Sequence, residues 1–281
     1  MRTQKWIGFG IVIAFLSIGV SWFLYEKSSA YTRLFVSLDS QGIPYAKVEI
    51  QGRHYDVKFS LGSKLPLLLS KTVLAQLEKQ DAGTVKVKNL FGDEVELQAF
   101  QLKKIALGNL IFQDVLAVEM EERESGPGFI GRPLLVKYNL LFDIHEGTVL
   151  MSNRFKYIQR GGYGREDWVQ VPLEVGRAGV VIQTGTDIGA TKFSLGAATA
   201  DSLLKSCLVD ESLWRKSEQG PACFTSTTFL IGGNEFGRQN LYSLPISNDD
   251  FSSIDGILGL DFLSKHIVYL DFDNQQAYIE K

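Results

Sequence analysis

The chain has 281 residues, of which 45% are hydrophobic and 22% charged, with a formal net charge of -3. That length supports one large domain or two small ones with proper cores. The near-neutral charge gives no electrostatic footprint for nucleic acid, and no Lys/Arg cluster suited to lipid head groups follows the apolar N-terminal stretch.

Trp6 to Tyr25 form a run without a charge, and about 20 such residues suffice to cross a hydrocarbon core of roughly 30 Å. Arg2 and Lys5 precede the run, while Glu26 and Lys27 nearly cancel after it. This asymmetry predicts a single-pass membrane protein with a cytoplasmic N-terminus and residues 28–281 outside. The alternative is a secreted protein cleaved near Ala30, because Ser28-Ser29-Ala30 offers the small residues a signal peptidase reads. The length of the apolar stretch favours the uncleaved anchor.

From Ile43, apolar Ala46, Val48 and Ile50 alternate with Lys47, Glu49 and Gln51, Gly52-Arg53 turns the chain, and Tyr55, Val57 and Phe59 resume the alternation. This predicts a β-hairpin. Ser60-Leu61-Gly62-Ser63 follows, then the apolar run Leu65 to Leu69, and then Ser70 as N-cap of a helix carrying Val73, Leu74 and Leu77. Phe91-Gly92-Asp93 separates Val85-Lys86-Val87 from Val95-Glu96-Leu97, a second hairpin, and Gly108-Asn109 separates two further strands. The Gly-rich stretch Arg160 to Arg165 is a linker. Beyond it Val169, Val171, Leu173 and Val175 alternate, Gly176-Arg177 turns, and Val180-Val181-Ile182 begins a return strand. Many short strands with few helices predict an all-β protein.

The chain also repeats itself. Gly128-Phe129-Ile130-Gly131, followed by Leu134-Leu135 and by Leu141-Phe142-Asp143, matches Gly256-Ile257-Leu258-Gly259, followed by Phe262-Leu263 and by Leu270-Asp271. One constant offset aligns Gly131 with Gly259, Leu135 with Leu263, Lys137 with Lys265 and Asp143 with Asp271, which predicts two related lobes. The resulting division is a stub and transmembrane helix over 1–27, a first lobe over 31–157, a linker over 158–168 and a second lobe over 169–281.

This apolar-apolar-Gly turn leading into a strand that ends in Asp resembles the lobes of the pepsin/retropepsin aspartic-peptidase superfamily. The resemblance implies two pseudo-symmetric β-barrel lobes with a central cleft, each lobe supplying an Asp from an Asp-Thr/Ser-Gly loop. Two are needed because like charges about 3 Å apart cannot both ionise, so one carboxyl serves as acid while the other is base toward a water.

In the first lobe the implied loop falls on Ser60, with Leu61, Gly62 and Ser63, so a hydroxyl stands where the carboxylate belongs. A serine nucleophile would need an adjacent base, and Ser60 is better read as a turn hydroxyl. In the second lobe two frames compete: Asp187-Ile188-Gly189-Ala190-Thr191, which keeps one Asp, and Gln183-Thr184-Gly185, which keeps none. Under either frame the catalytic pair is incomplete. Phe91-Gly92 falls where the family carries a flap over its cleft, without the flap tyrosine.

Three functions remain open. The first is a membrane-anchored, catalytically impaired protein that binds a peptide or protein ligand in the cleft. The second is an active endopeptidase pairing two copies of Asp187 in a homodimer, which tethering would favour. The third is a structural scaffold. No metal and no cofactor are implied: His54, His145 and His266 stand far apart, and zinc-type spacings are missing. Cys207 and Cys223 are a candidate disulfide, worth about 3 kcal/mol in a loop of this size if formed.

Overall fold

The structure, a computed structural model, describes residues 31–40, 42–89, 91–120, 126–153, 168–205, 215–216, 223–244 and 247–281. The predicted membrane span, the 158–167 part of the linker and Cys207 lie outside these residues. Cys223 is a free thiol. Among the described residues no helix is long and apolar enough to cross a membrane.

The first lobe is built on β2 (Ser37–Leu38), β3 (Pro44–Ile50), β4 (Arg53–Ser60), β5 (Leu67–Leu69), β6 (Gln80–Lys88), β7 (Glu94–Leu107), β8 (Leu110–Glu119) and β9 (Gly128–Gly131). Their order is β2-β3-β4-β9-β5-β8-β7-β6, and an added β3–β7 pairing closes six of them into a barrel. The alternation on β3 is realised as Ala46, Val48 and Ile50 inward, with Lys47 and Glu49 outward. The turn falls one residue earlier than expected, on Gln51 and Gly52 at φ 53° and 75°, the left-handed region that a two-residue hairpin demands. Ser70 caps α1 (Lys71–Leu74) by accepting the Val73 amide at 3.3 Å.

Between the two halves lies a shared six-stranded platform. Its order is β1 (Tyr31–Phe35), β11 (Thr148–Ser152), β10 (Asn139–Asp143), β21 (Val268–Asp271), β22 (Gln276–Glu280) and β12 (Trp168–Gly176). Leu141 pairs with Tyr269 at its centre, so the two Asp-terminated strands of the sequence repeat lie side by side and antiparallel. All five residues of β10 are buried. Of its two polar members, Asn139 crosses the join: its Oδ1 accepts the Phe272 amide at 2.9 Å and its Nδ2 donates to Asp273 at 3.2 Å. That pairing meets the rule that buried polar groups are hydrogen-bonded.

The second lobe continues from β12 through β13 (Gly179–Gln183), β15 (Lys192–Leu195), β20 (Gly256–Leu258), β16 (Leu203–Lys205), β19 (Asn234–Leu244), β18 (Cys223–Ile231) and β14 (Gly185–Thr186), with β17 (Arg215–Lys216) against β18. α2 (Arg132–Leu135) and α3 (Leu260–Leu263) are the single turns that follow Gly131 and Gly259. One continuous apolar core runs through barrel, platform and second lobe.

His266 packs against the rings of Phe236 and Phe262, at 5.2 and 4.8 Å between centroids, with its Nδ1 3.1 Å from the Glu280 carbonyl. Burial lowers its pKa from 6.5; the Glu280 carbonyl opposes this and Lys265 adds to it. Below about 6.5 the unfolded chain therefore binds a proton that the folded one refuses, and stability falls as pH drops through that value. Urea midpoints at pH 7 and pH 5 should differ less for His266→Gln than for the wild type.

Candidate functional site: the two motif loops and the cleft mouth

In the first lobe β9 runs parallel to β4, pairing Lys58 with Phe129, Phe59 with Ile130 and Ser60 with Gly131. β5 then returns antiparallel along the other side of β9. The loop from β4 to β5 is thus threaded around the repeat motif, and Ser60 to Ser63 sit at the crossing. Ser60 Oγ accepts the Ser63 amide at 3.2 Å, while Ser63 Oγ accepts the Leu65 amide at 3.1 Å and donates to the Leu65 carbonyl at 3.2 Å. Leu61 is fully buried. Ser60 therefore braces its own turn.

The second lobe repeats this weave with β15, β16 and β20. β20 runs parallel to β15, pairing Leu195 with Leu258, and the Gly196 amide donates to the Leu258 carbonyl at 2.8 Å. Since Gly131 and Gly259 are counterparts, the counterpart of Ser60 is Gly196, in the loop Gly196-Ala197-Ala198-Thr199. Neither frame read from the sequence lands there. Gln183 ends β13 and is exposed, and Thr184-Gly185 leads into β14.

Asp187 lies in the turn joining β13 to β15, on the lobe's outer hairpin, where its carboxylate accepts the Thr227 hydroxyl and, at 3.3 Å, the Thr228 amide. Its neighbours are structural as well. Ile188 packs on the core, Gly189 takes φ 82°, Ala190 is buried and the Thr191 amide donates to Asp255 at 2.7 Å. The misassignment has a topological cause. In the first lobe the platform strand and the first barrel strand are separate pieces, β1 and β2; in the second they fuse into β12, whose alternation imitates β3. A Leu-Leu pair following both Ser60 and Gly196, at Leu67-Leu68 and Leu203-Leu204, was the signal that could have found the register.

Neither motif loop therefore carries an acid at the position that would supply one. Asp255 is held by the amides of Thr191 and Lys192, Asp261 by Ser202 at 2.6 Å and by Gln239, and Asp271 by Asn274. Asp201, beside Gly259, has its pKa raised by burial and then by Asp261. Gly196 itself is closed in: a Cβ there would stand 2.7 Å from Ile257 Cγ2 and 3.0 Å from Thr199 Oγ1. None of the three histidines lies on the strands that carry Ser60 or Gly196, apart from His54 at the far end of β4, paired with Glu49. Among the described residues no group of three or more metal-ligating side chains is gathered.

The lobes meet at these loops. A Cβ on Gly179, at the start of β13, would lie 3.1 Å from Gly62 Cα and 3.2 Å from the Leu61 carbonyl. Arg132, one residue beyond Gly131, donates to the Gly176 carbonyl. Burial lowers its pKa, and Asp250 pulls the other way. The tip of the β6–β7 hairpin, predicted as the flap, reaches the second lobe: Asn248 Nδ2 donates to the Asn89 carbonyl at 2.8 Å and to the Lys88 carbonyl at 3.3 Å, and the Ser247 hydroxyl to the Phe91 carbonyl. Away from this mouth, a cavity of about 600 Å³ opens on the outside of the first lobe among Glu49, Glu78, Lys103, Lys104 and Asp114. It includes no residue of either motif loop.

No protein-family model matches the sequence, and no curated protein matches it. Solved structures do. An aspartic proteinase from Irpex lacteus superposes with a TM-score of 0.61 at 12% identity, over 90% of this chain and 97% of that one. The Basic 7S globulin from soybean superposes with a TM-score of 0.56 at 10% identity, over 90% and 95%. Together with the barrel, the shared platform and the two woven motif loops, these likenesses show that the chain has an aspartic-peptidase-like, pepsin-like all-β fold.

Proposed function

We propose that the protein is a non-hydrolytic pepsin-like protein that holds a peptide or protein segment between its lobes, tethered to a membrane by residues 6–25. The observation that carries this reading is the pair Ser60 and Gly196. Hydrolysis by this fold's route needs two carboxyls sharing a proton, and these two positions offer a hydroxyl engaged in its own turn and a hydrogen atom. A single positioned acid-base group is worth about 10²- to 10⁴-fold, so losing both leaves no route for activating water. The homodimer alternative gains nothing from Asp187, whose carboxylate is fastened to Thr227 and Thr228 on an outer hairpin.

The purified protein should release no fragments from a mixed peptide library between pH 3 and pH 7. Asp187→Asn should leave that blank result, and the fold, unchanged. Turnover blocked by a transition-state-like inhibitor of aspartic peptidases would refute the reading.

A further inference from the structure

The second lobe's segment 247–250 is wedged against three separate parts of the first lobe. Ser247 and Asn248 hold the flap carbonyls of Phe91, Asn89 and Lys88. Asp250 forms an ion pair with Lys64, the residue directly after the Ser60–Ser63 loop, and lies within electrostatic reach of Arg132, directly after Gly131. Flap and motif loop are the roof and floor on which an extended ligand would lie in this fold. Asn248 is 4% exposed, so its two donated bonds are sheltered from water.

The grip is polar on the first-lobe side only. Phe251 and Ile254 root the segment in the second lobe, packed with Ala178, Val181 and Ile257, and Lys205 Nζ holds the Phe251 carbonyl at 2.5 Å. Ser247 to Asp250 can therefore leave the first lobe without uncovering that cluster. Opening then breaks the hydrogen bonds of Ser247 and Asn248 and the Asp250–Lys64 pair but no apolar cluster, a local rather than a global unfolding.

We infer that Ser247–Asp250 is an internal plug, and that the ligand of the cleft is an acidic peptide segment whose carboxylate replaces Asp250 on Lys64 and Arg132 and whose amide side chain or backbone replaces Asn248 under the flap. This deepens the proposed function and rests on it. The geometry supplies the recognition chemistry: two cations on the floor, of which the guanidinium favours a carboxylate, and a row of flap carbonyls that accept N–H donors. Because the plug is tethered, it competes at a high effective concentration. The unaltered protein should accordingly bind weakly until the plug is displaced.

The probe is a fluorescent peptide carrying the chain's own Ser-Asn-Asp-Asp-Phe sequence, titrated by anisotropy against the full-length protein in detergent. Asn248→Ala/Asp250→Ala should bind it at least 10-fold more tightly than the wild type, and the gain should vanish when Lys64→Glu is added. A peptide with both Asp residues replaced by Lys should not bind. Equal affinity of wild type and plug variant, or binding indifferent to Lys64→Glu, overturns the inference. If the plug variant fails to fold, hydrogen exchange decides: in the wild type, millimolar peptide should speed exchange at Asn248 and Asp250 amides, and unchanged exchange there counts against displacement. Cleavage of the peptide, followed by mass spectrometry in the same samples, would instead refute the non-hydrolytic reading and leave the plug standing.

Discussion

Gly131→Ala should destabilise the protein by at least about 4 kcal/mol, at the upper end for a single substitution and a large part of the 5–15 kcal/mol that holds a typical domain together. The cause is backbone against backbone. A Cβ at Gly131 would enter the Leu65 carbonyl oxygen, with the Leu65 carbonyl carbon at 3.0 Å and Ser63 Oγ at 3.3 Å. Neither side can yield. Strand β9 is paired on both flanks, with β4 and β5. The loop it would have to push is pinned by the two bonds between Ser63 Oγ and Leu65, and the Gly131 amide itself donates to the Pro66 carbonyl at 2.8 Å. Gly62→Ala in the same loop is the control, since nothing lies within 4 Å of its Cβ position; it should shift stability by no more than about 0.5 kcal/mol. Urea denaturation of the three proteins measures the difference, and a Gly131→Ala midpoint near that of the wild type would contradict the woven-loop packing.

The same contact explains why the fold was legible in the sequence. Gly259 repeats the crossing, with the Asp201 carbonyl group 2.5 Å and the Thr199 oxygen 2.9 Å from a Cβ position. A glycine forced by close approach, followed by an apolar turn and a platform strand, is a local signature, and duplicated it marks both lobes. The β6–β7 and β7–β8 hairpins were likewise readable, because alternation and turn residues are neighbours in the chain. Three features were not. The Gly196 register was hidden by the fusion of two strands into β12, so both frames, Asp187 and Gln183, fell short of it in the preceding turn. The grip of Asn248 on Lys88 and Asn89 joins residues about 160 positions apart that only the assembled lobes bring together. The carboxylates of Asp187 and Asp255 look alike in sequence, as acids within two residues of a Gly, and only their partners separate them from a catalytic acid.

Gly196→Asp should cost about 1–3 kcal/mol, the range for overpacking a filled site. The added Cβ meets Ile257 Cγ2 at 2.7 Å and Thr199 Oγ1 at 3.0 Å, and Ile257 is 7% exposed, with Ala178, Val181 and Ile254 around it. Ile257→Leu removes that branch methyl at nearly constant volume and should by itself cost less than about 1.5 kcal/mol. Combined, the two substitutions should be less destabilising than their sum by about 0.5 kcal/mol or more, since residues in contact couple. Additive costs would mean that Ile257 is not what closes the site. The cycle bears on function as well as packing. If Ile257 fills the space that a carboxylate would need, the lost acid is built into the second lobe's core rather than being one reversible exchange, and Ser60→Asp alone, or Ser60→Asp with Gly196→Asp over an intact Ile257, should still release no peptide fragments. The Ile257→Leu background is then where two acids would first find room, and the appearance of hydrolysis only there would identify Ile257 as the side chain that excludes the second acid.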